Sequence, residues 1–220
     1  MSFKLKNSIM IISVWLIIFI LSIFLSSIFY IFLKRPIVTA LMIQIFYILL
    51  SYLFVKYILK WSVDTLGYVL CDSMSILTVI ILSLVISVII ALVELSVASS
   101  SKLIAPVPGL FQNPSLYVML AFIIAPIGEE TLFRGLLLGG LIKVGVNTKI
   151  SVIMQAILFS IIHIIPFKNA PIIQLIVILI TAFILSVIAG IYRVRTYSII
   201  PAIVTHICFN LGGILTSFII

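Results

Sequence analysis

Two adjacent carboxylates and a guanidinium lie inside one long apolar stretch, Ala125-Pro-Ile-Gly-Glu-Glu-Thr-Leu-Phe-Arg-Gly135. At bilayer depth such groups cost roughly 2.5–3.5 kcal/mol each, so three unpaired charges would cost on the order of 8–10 kcal/mol. A chain that keeps them there pairs them and uses them. On an α-helix Glu130 and Arg134 are four apart, share a face and can pair. Glu129 sits about 100° round the helix and points elsewhere. The expectation is a Glu130 locked to Arg134 and a Glu129 facing a wet cavity. The plainer alternative is an ion-pair network that only fixes helix packing; buried pairs are weak evidence even for stability.

The chain has two histidines, His163 and His206, and both fall in apolar stretches. Neutral imidazole is cheaper in the membrane than a charge, and its unperturbed pKa near 6.5 suits proton handling. His206 and Asn210 are four apart, as are Phe159 and His163, so each pair shares a helix face. Three helices thus offer Glu129, Glu130 and Arg134, then His163, then His206 and Asn210. This set fits hydrolysis by an activated water. Glu129 takes the proton with His163 orienting the water, and His206 and Asn210 donate to the developing oxyanion. Glu, His and His also match the ligand types of a zinc site, although the helical H-E-x-x-H signature is absent. The reading favours no required ion. Cys208 and His206, two apart on a helix, point in nearly opposite directions, and no spacing supports a serine triad.

The elements that must position these groups are membrane helices. Of 220 residues, 65% are hydrophobic and 8% charged, far beyond a soluble domain's apolar share. Apolar runs of about 20 residues, each enough to cross roughly 30 Å of hydrocarbon, recur along the chain. The fold class is all-α, a polytopic integral membrane helical bundle with the catalytic residues inside it. Seven spans are predicted, over 9–33, 37–55, 74–97, 115–142, 150–165, 171–192 and 198–219. No strand alternation points to a barrel. Residues 1–220 read as one membrane domain, with 1–114 as N-terminal spans plus an interfacial segment. That segment, 56–73, carries Trp61, Asp64, Gly67 and Tyr68. Pro106, Pro108, Gly109 and Pro114 make 99–114 a loop. The first apolar run is too long for a signal peptide's core and reads as an uncleaved span. Pro126 predicts a kink beside the carboxylates, and Gly135-x-x-x-Gly139 predicts close helix packing.

The net charge of +8 marks membrane sidedness, and without a basic cluster interleaved with aromatics it does not indicate nucleic acid. With the N-terminus cytoplasmic, Lys4, Lys6, Lys56, Lys60, Lys143, Lys149, Arg193 and Arg195 lie inside. Lys34, Arg35, Lys102 and Lys168 lie outside. This bias favours a cytoplasmic N-terminus and an external C-terminus. Cys71 and Cys208 give neither a disulfide framework nor metal spacing. Gln44, Gln155 and Gln174 read as interhelical hydrogen-bond partners, and Glu94 as an interfacial carboxylate at the end of the third span.

Glu129-Glu130-x-x-x-Arg134, Phe159-x-x-x-His163 and His206-x-x-x-Asn210, in that order on separate helices, resemble the three motifs of the CPBP intramembrane proteases. That family includes CAAX prenyl endopeptidases and bacteriocin-processing or immunity proteins. The approach Gly190-Ile-Tyr-Arg-Val-Arg-Thr-Tyr-Ser-Ile-Ile-Pro-Ala-Ile-Val-Thr-His206 is also similar. The resemblance spans about 115–213, a protease core. It implies that Glu129 activates water with His163, and that His206 and Asn210 stabilise the oxyanion; it does not itself demonstrate a metal.

The resulting expectation is a glutamate-dependent intramembrane endopeptidase, in contact with lipid, acting on a peptide or membrane-anchored protein. The Ile- and Lys-rich composition points to a bacterial cell membrane, and so to a bacteriocin, pheromone or surface-protein substrate rather than a prenylated one. The rivals are a non-catalytic immunity or scaffold protein and a small proton-coupled transporter. The latter usually shows repeat symmetry, and none is visible here.

Overall fold

The computed structural model describes residues 3–98 and 114–219. The loop predicted over 99–114 therefore lies outside the described residues up to position 113. The described residues are helical, with no strand among them. Helix α1 is Phe3–Leu33 and α2 is Pro36–Leu53, prolonged by a π-turn over Phe54–Ile58. A 3-10 turn, Val63–Leu66, precedes α3, Ser73–Ala98. The central segment is composite. It runs through α4 (Pro114–Met119), a π-turn (Leu120–Ile124), α5 (Ala125–Glu130), a second π-segment (Thr131–Leu138) and α6 (Gly139–Lys143). Then follow α7 (Thr148–Ile162), α8 (Ile172–Thr196) and α9 (Ile200–Ile219).

All seven predicted spans are found as helical segments. Five are long and apolar enough to cross a membrane. The other two apolar helices, Thr148–Ile162 and Ile200–Ile214, are shorter. Asn147 starts α7 by accepting from the backbone N–H of Lys149 and Ile150 through its side chain, and a turn follows at His163.

Hydrophobicity all round a helix is what a lipid-facing bundle requires. In α1, Ile11, Val14, Trp15 and Ile18 recur at helical spacing and are buried, while Ile17 and Ile20 on other faces are exposed. The buried stripe meets Leu132, Phe133, Leu136 and Leu137 from the π-segment, together with Phe159 and Phe209. Helix α1 lies along α2, α3 along α9, and α7 along α8, with the carboxylate-bearing segment inside.

The segment after α2 is more than an interfacial strip. Arg193 donates from Nη2 to the Thr65 carbonyl at 2.9 Å, and Lys143 donates to Thr65 Oγ1 at 3.1 Å. The Ile199 N–H reaches the Gly67 carbonyl at 2.8 Å. Gly67, at φ +83°, has its missing Cβ within 2.6 Å of the Arg193 guanidinium, so both its turn and its packing need glycine. Gly135 and Gly139 do allow close approach, but to backbone of this segment: added Cβ atoms would meet the Leu66 carbonyl at 3.1 Å and the Thr65 carbonyl at 2.7 Å.

Pro126 sits at the start of α5, directly after the π-turn Leu120–Ile124. Proline has no N–H to give to the preceding turn, and the irregularity predicted there takes the form of this widened turn. Such π-bulges are frequent at functional sites.

Candidate active site

The fully buried Glu130 is the hub. Its Oε1 accepts from Arg134 Nη1 at 2.9 Å, the pair predicted from the four-residue spacing. The same oxygen accepts from His206 Nδ1 of α9, also at 2.9 Å. The Arg134 guanidinium in turn lies 4.5 Å from the centroid of the Phe159 ring, a favourable place for a desolvated cation. One carboxylate oxygen thus ties the central segment to α9, and Phe159 of α7 closes the other side of the cation.

Glu129 is turned away, as the helical angle requires, but towards α2. Gln44 Nε2 donates to Glu129 Oε1 at 3.1 Å, and Gln44 is itself buried. Sequence reading placed Gln44 among interhelical hydrogen-bond partners; it is one, and it also touches a candidate site carboxylate. Gly128 allows this contact, since an added Cβ would lie 2.9 Å from the Gln44 carbonyl oxygen. The other oxygen of Glu129, Oε2, lies 4.0 Å from His206 Nε2. That is too far for a direct hydrogen bond and within the span of one bridging water.

His163 ends α7. Its Nδ1 lies 2.7 Å from the Phe159 carbonyl, so Nδ1 carries a proton, and in the neutral ring Nε2 keeps its lone pair. Phe159 stands against both imidazoles, at 4.8 Å from His163 and 5.8 Å from His206 between ring centroids. It is the wall expected from the sequence, for two rings rather than one. Asn210, one turn beyond His206, gives one N–H to the Ala121 carbonyl at 2.7 Å; Ala121 belongs to the π-turn before Pro126.

A cavity of about 150 Å³ adjoins the site, lined by His163, His206, Asn210, Phe159, Ser87 and Glu94 among others. Glu129 does not line it. Gln44 holds the Glu129 carboxylate on the α2 side, and the imidazoles and Asn210 stand on the side of this cavity. Glu94, read as interfacial, is 7% exposed and lines the same cavity. Among the described residues no three His, Cys, Asp or Glu side chains form a metal-holding group. Cys71 and Cys208 are both free.

Residues 111–212 match the model of the type II CAAX prenyl endopeptidase Rce1-like family. Over this segment, a little under half of its length, the chain is similar to that family. No curated protein and no solved structure matches it. The Rce1-like segment contains Glu129, Glu130, Arg134, His163, His206 and Asn210, and its family is one of CAAX-type proteases of the membrane. Gln44 and Glu94 come from outside it, on α2 and α3. The Rce1-like motifs were legible in the sequence, but these two N-terminal contributions belong to no motif. A lone amide and a lone acid in otherwise apolar spans were the only signals for them.

Proposed function

We propose that the chain is a glutamate-dependent endopeptidase that hydrolyses a peptide or membrane-anchored protein within the bilayer, with residues 115–213 as its protease core. Water attacks the scissile carbonyl carbon, and Glu129 takes its proton. His163, with a lone pair on Nε2, accepts a hydrogen bond from the same water and orients it. Charge builds on the carbonyl oxygen. The second N–H of Asn210 and the Nε2–H of a protonated His206, supported through Nδ1 by Glu130, donate to it. The C–N bond then breaks, and Glu129 returns the proton to the leaving amine. Arg134 holds Glu130 in place and does not touch substrate. No metal enters this scheme. By the lysine and arginine bias the N-terminus is cytoplasmic.

The observation that carries the reading is that Glu129 Oε2 lies 4.0 Å from His206 Nε2, which sets the proposed base beside the imidazole proposed to donate to the oxyanion. The test compares cleavage products in membranes carrying wild-type chain and Glu129→Gln. A product absent only from the variant is expected, and it should survive strong chelation. Identical products from a folded Glu129→Gln protein would refute Glu129 as the base. Loss of product on chelation, with stoichiometric zinc in the purified protein, would overturn the metal-free scheme.

A further inference from the structure

Helix α3 carries one charged residue, Glu94. Ser87 and Glu94 are seven apart, two helical turns, and so lie on one face. That face is buried: Ser83, Ser87 and Glu94 are 0%, 4% and 7% exposed. It is pressed on α9 so closely that a Cβ at Gly212 would meet Ser87 Oγ at 2.9 Å. Glu94 therefore points into the bundle. It has no hydrogen bond or ion pair among the described residues.

Among the described residues, the cavity it enters is lined by His163, His206 and Asn210 but by no lysine or arginine. Arg134 is committed to Glu130. Burying a carboxylate is costly unless a cation or hydrogen-bond donor meets it. The space beside it is large enough for a side chain, and the groups that would handle a scissile bond line the same wall.

We propose that Glu94 is a specificity residue that receives a cationic group of the substrate, a lysine or arginine side chain or a free α-ammonium, close to the bond that is cut. This rests on the proposed endopeptidase reading and deepens it. The Rce1-like segment supplies the groups proposed for the chemistry, and α3, outside that segment, supplies the selection. A substrate carboxylate near the same position is rejected by like charge.

The experiment uses full-length protein in phosphatidylcholine vesicles and internally quenched apolar decapeptides carrying one Lys, Gln or Glu walked through the sequence. N-acetylated and free-amine versions separate a side chain from the α-ammonium. Wild type should favour Lys over Gln by about tenfold in kcat/KM at one position, and Glu should fall below Gln. Glu94→Gln, nearly isosteric, should flatten the ratio to within about twofold. Glu94→Lys should invert it. An unchanged Lys-to-Glu ratio in Glu94→Gln, or a flat ratio in wild type, overturns the proposal. If no peptide is cut, the endopeptidase reading fails separately, and the ratio is read instead as Kd by fluorescence polarisation. A charge ratio in Kd that Glu94→Gln abolishes then upholds the site without the reaction, and a flat Kd overturns it.

Discussion

Replacing Glu130 by glutamine removes the charge that Arg134 needs while keeping the shape of the side chain. Both partners of Glu130 Oε1 sit at 2.9 Å, and Glu130 and Arg134 are fully buried. Breaking a buried pair by removing one charge costs roughly 3–5 kcal/mol. Two features put this site at the lower end, about 3 kcal/mol. Among the described residues Glu130 Oε2 and Arg134 Nε and Nη2 have no hydrogen-bond partner, so the pair is only half satisfied to begin with. The Phe159 face under the guanidinium remains after the substitution. Glu129→Gln, by contrast, disturbs one hydrogen bond from Gln44, and membrane hydrogen bonds average about 0.6 kcal/mol. Reversible unfolding in mixed micelles, followed by tryptophan fluorescence, reads both variants. Glu130→Gln combined with Arg134→Met should recover at least about half of the loss, because apolar replacement of a buried pair is often neutral or stabilising. Equal losses in the two glutamine variants, or no recovery in the double variant, would refute this division between a structural and a reacting carboxylate.

Asn210→Ala should lower kcat by roughly 10²–10³ with KM nearly unchanged if its free N–H serves the oxyanion. Turnover within threefold of wild type, with a small loss of stability, would reduce Asn210 to its bond with the Ala121 carbonyl. Gly128→Ala drives a methyl group against the Gln44 backbone and should destabilise by about 1–3 kcal/mol. It should also lower turnover per folded molecule, because α2 then carries Gln44 away from Glu129; a stable, fully active Gly128→Ala protein would count against that coupling.

Hydropathy made the spans legible because each helix must match the bilayer on its own, whatever its neighbours do. Spacing within one helix made Glu130–Arg134 and Phe159–His163 legible for the same reason. What a single helix does not encode is its rotation against the others. That Glu130 also receives His206, and that Glu129 turns to Gln44 rather than to the cavity, depends on how α2, α5 and α9 are set against one another. The facing of Glu94 was hidden on similar grounds: its position near the end of a span speaks to depth, and only the packing of α3 on α9 turns it inward. The π-turns around α5 left no signal beyond Pro126, since Leu120–Ile124 and Thr131–Leu138 are ordinary helix formers by composition.

Helix α7 has 15 residues, about 22 Å of rise, against roughly 30 Å of hydrocarbon. It breaks off at His163, and the turn after it exposes Ile164 and Ile165 where lipid tails would otherwise meet a helix. A span this short is accommodated by a locally thinned leaflet, at fractions of a kcal/mol per ångström of mismatch. On the proposed reading, a bilayer thinned beside His163 would leave the water of hydrolysis less hydrocarbon to cross there. Acyl-chain length would then act as a control on turnover: thicker membranes would deepen the dip, strain the boundary lipids and slow the supply of water to the bond being cut.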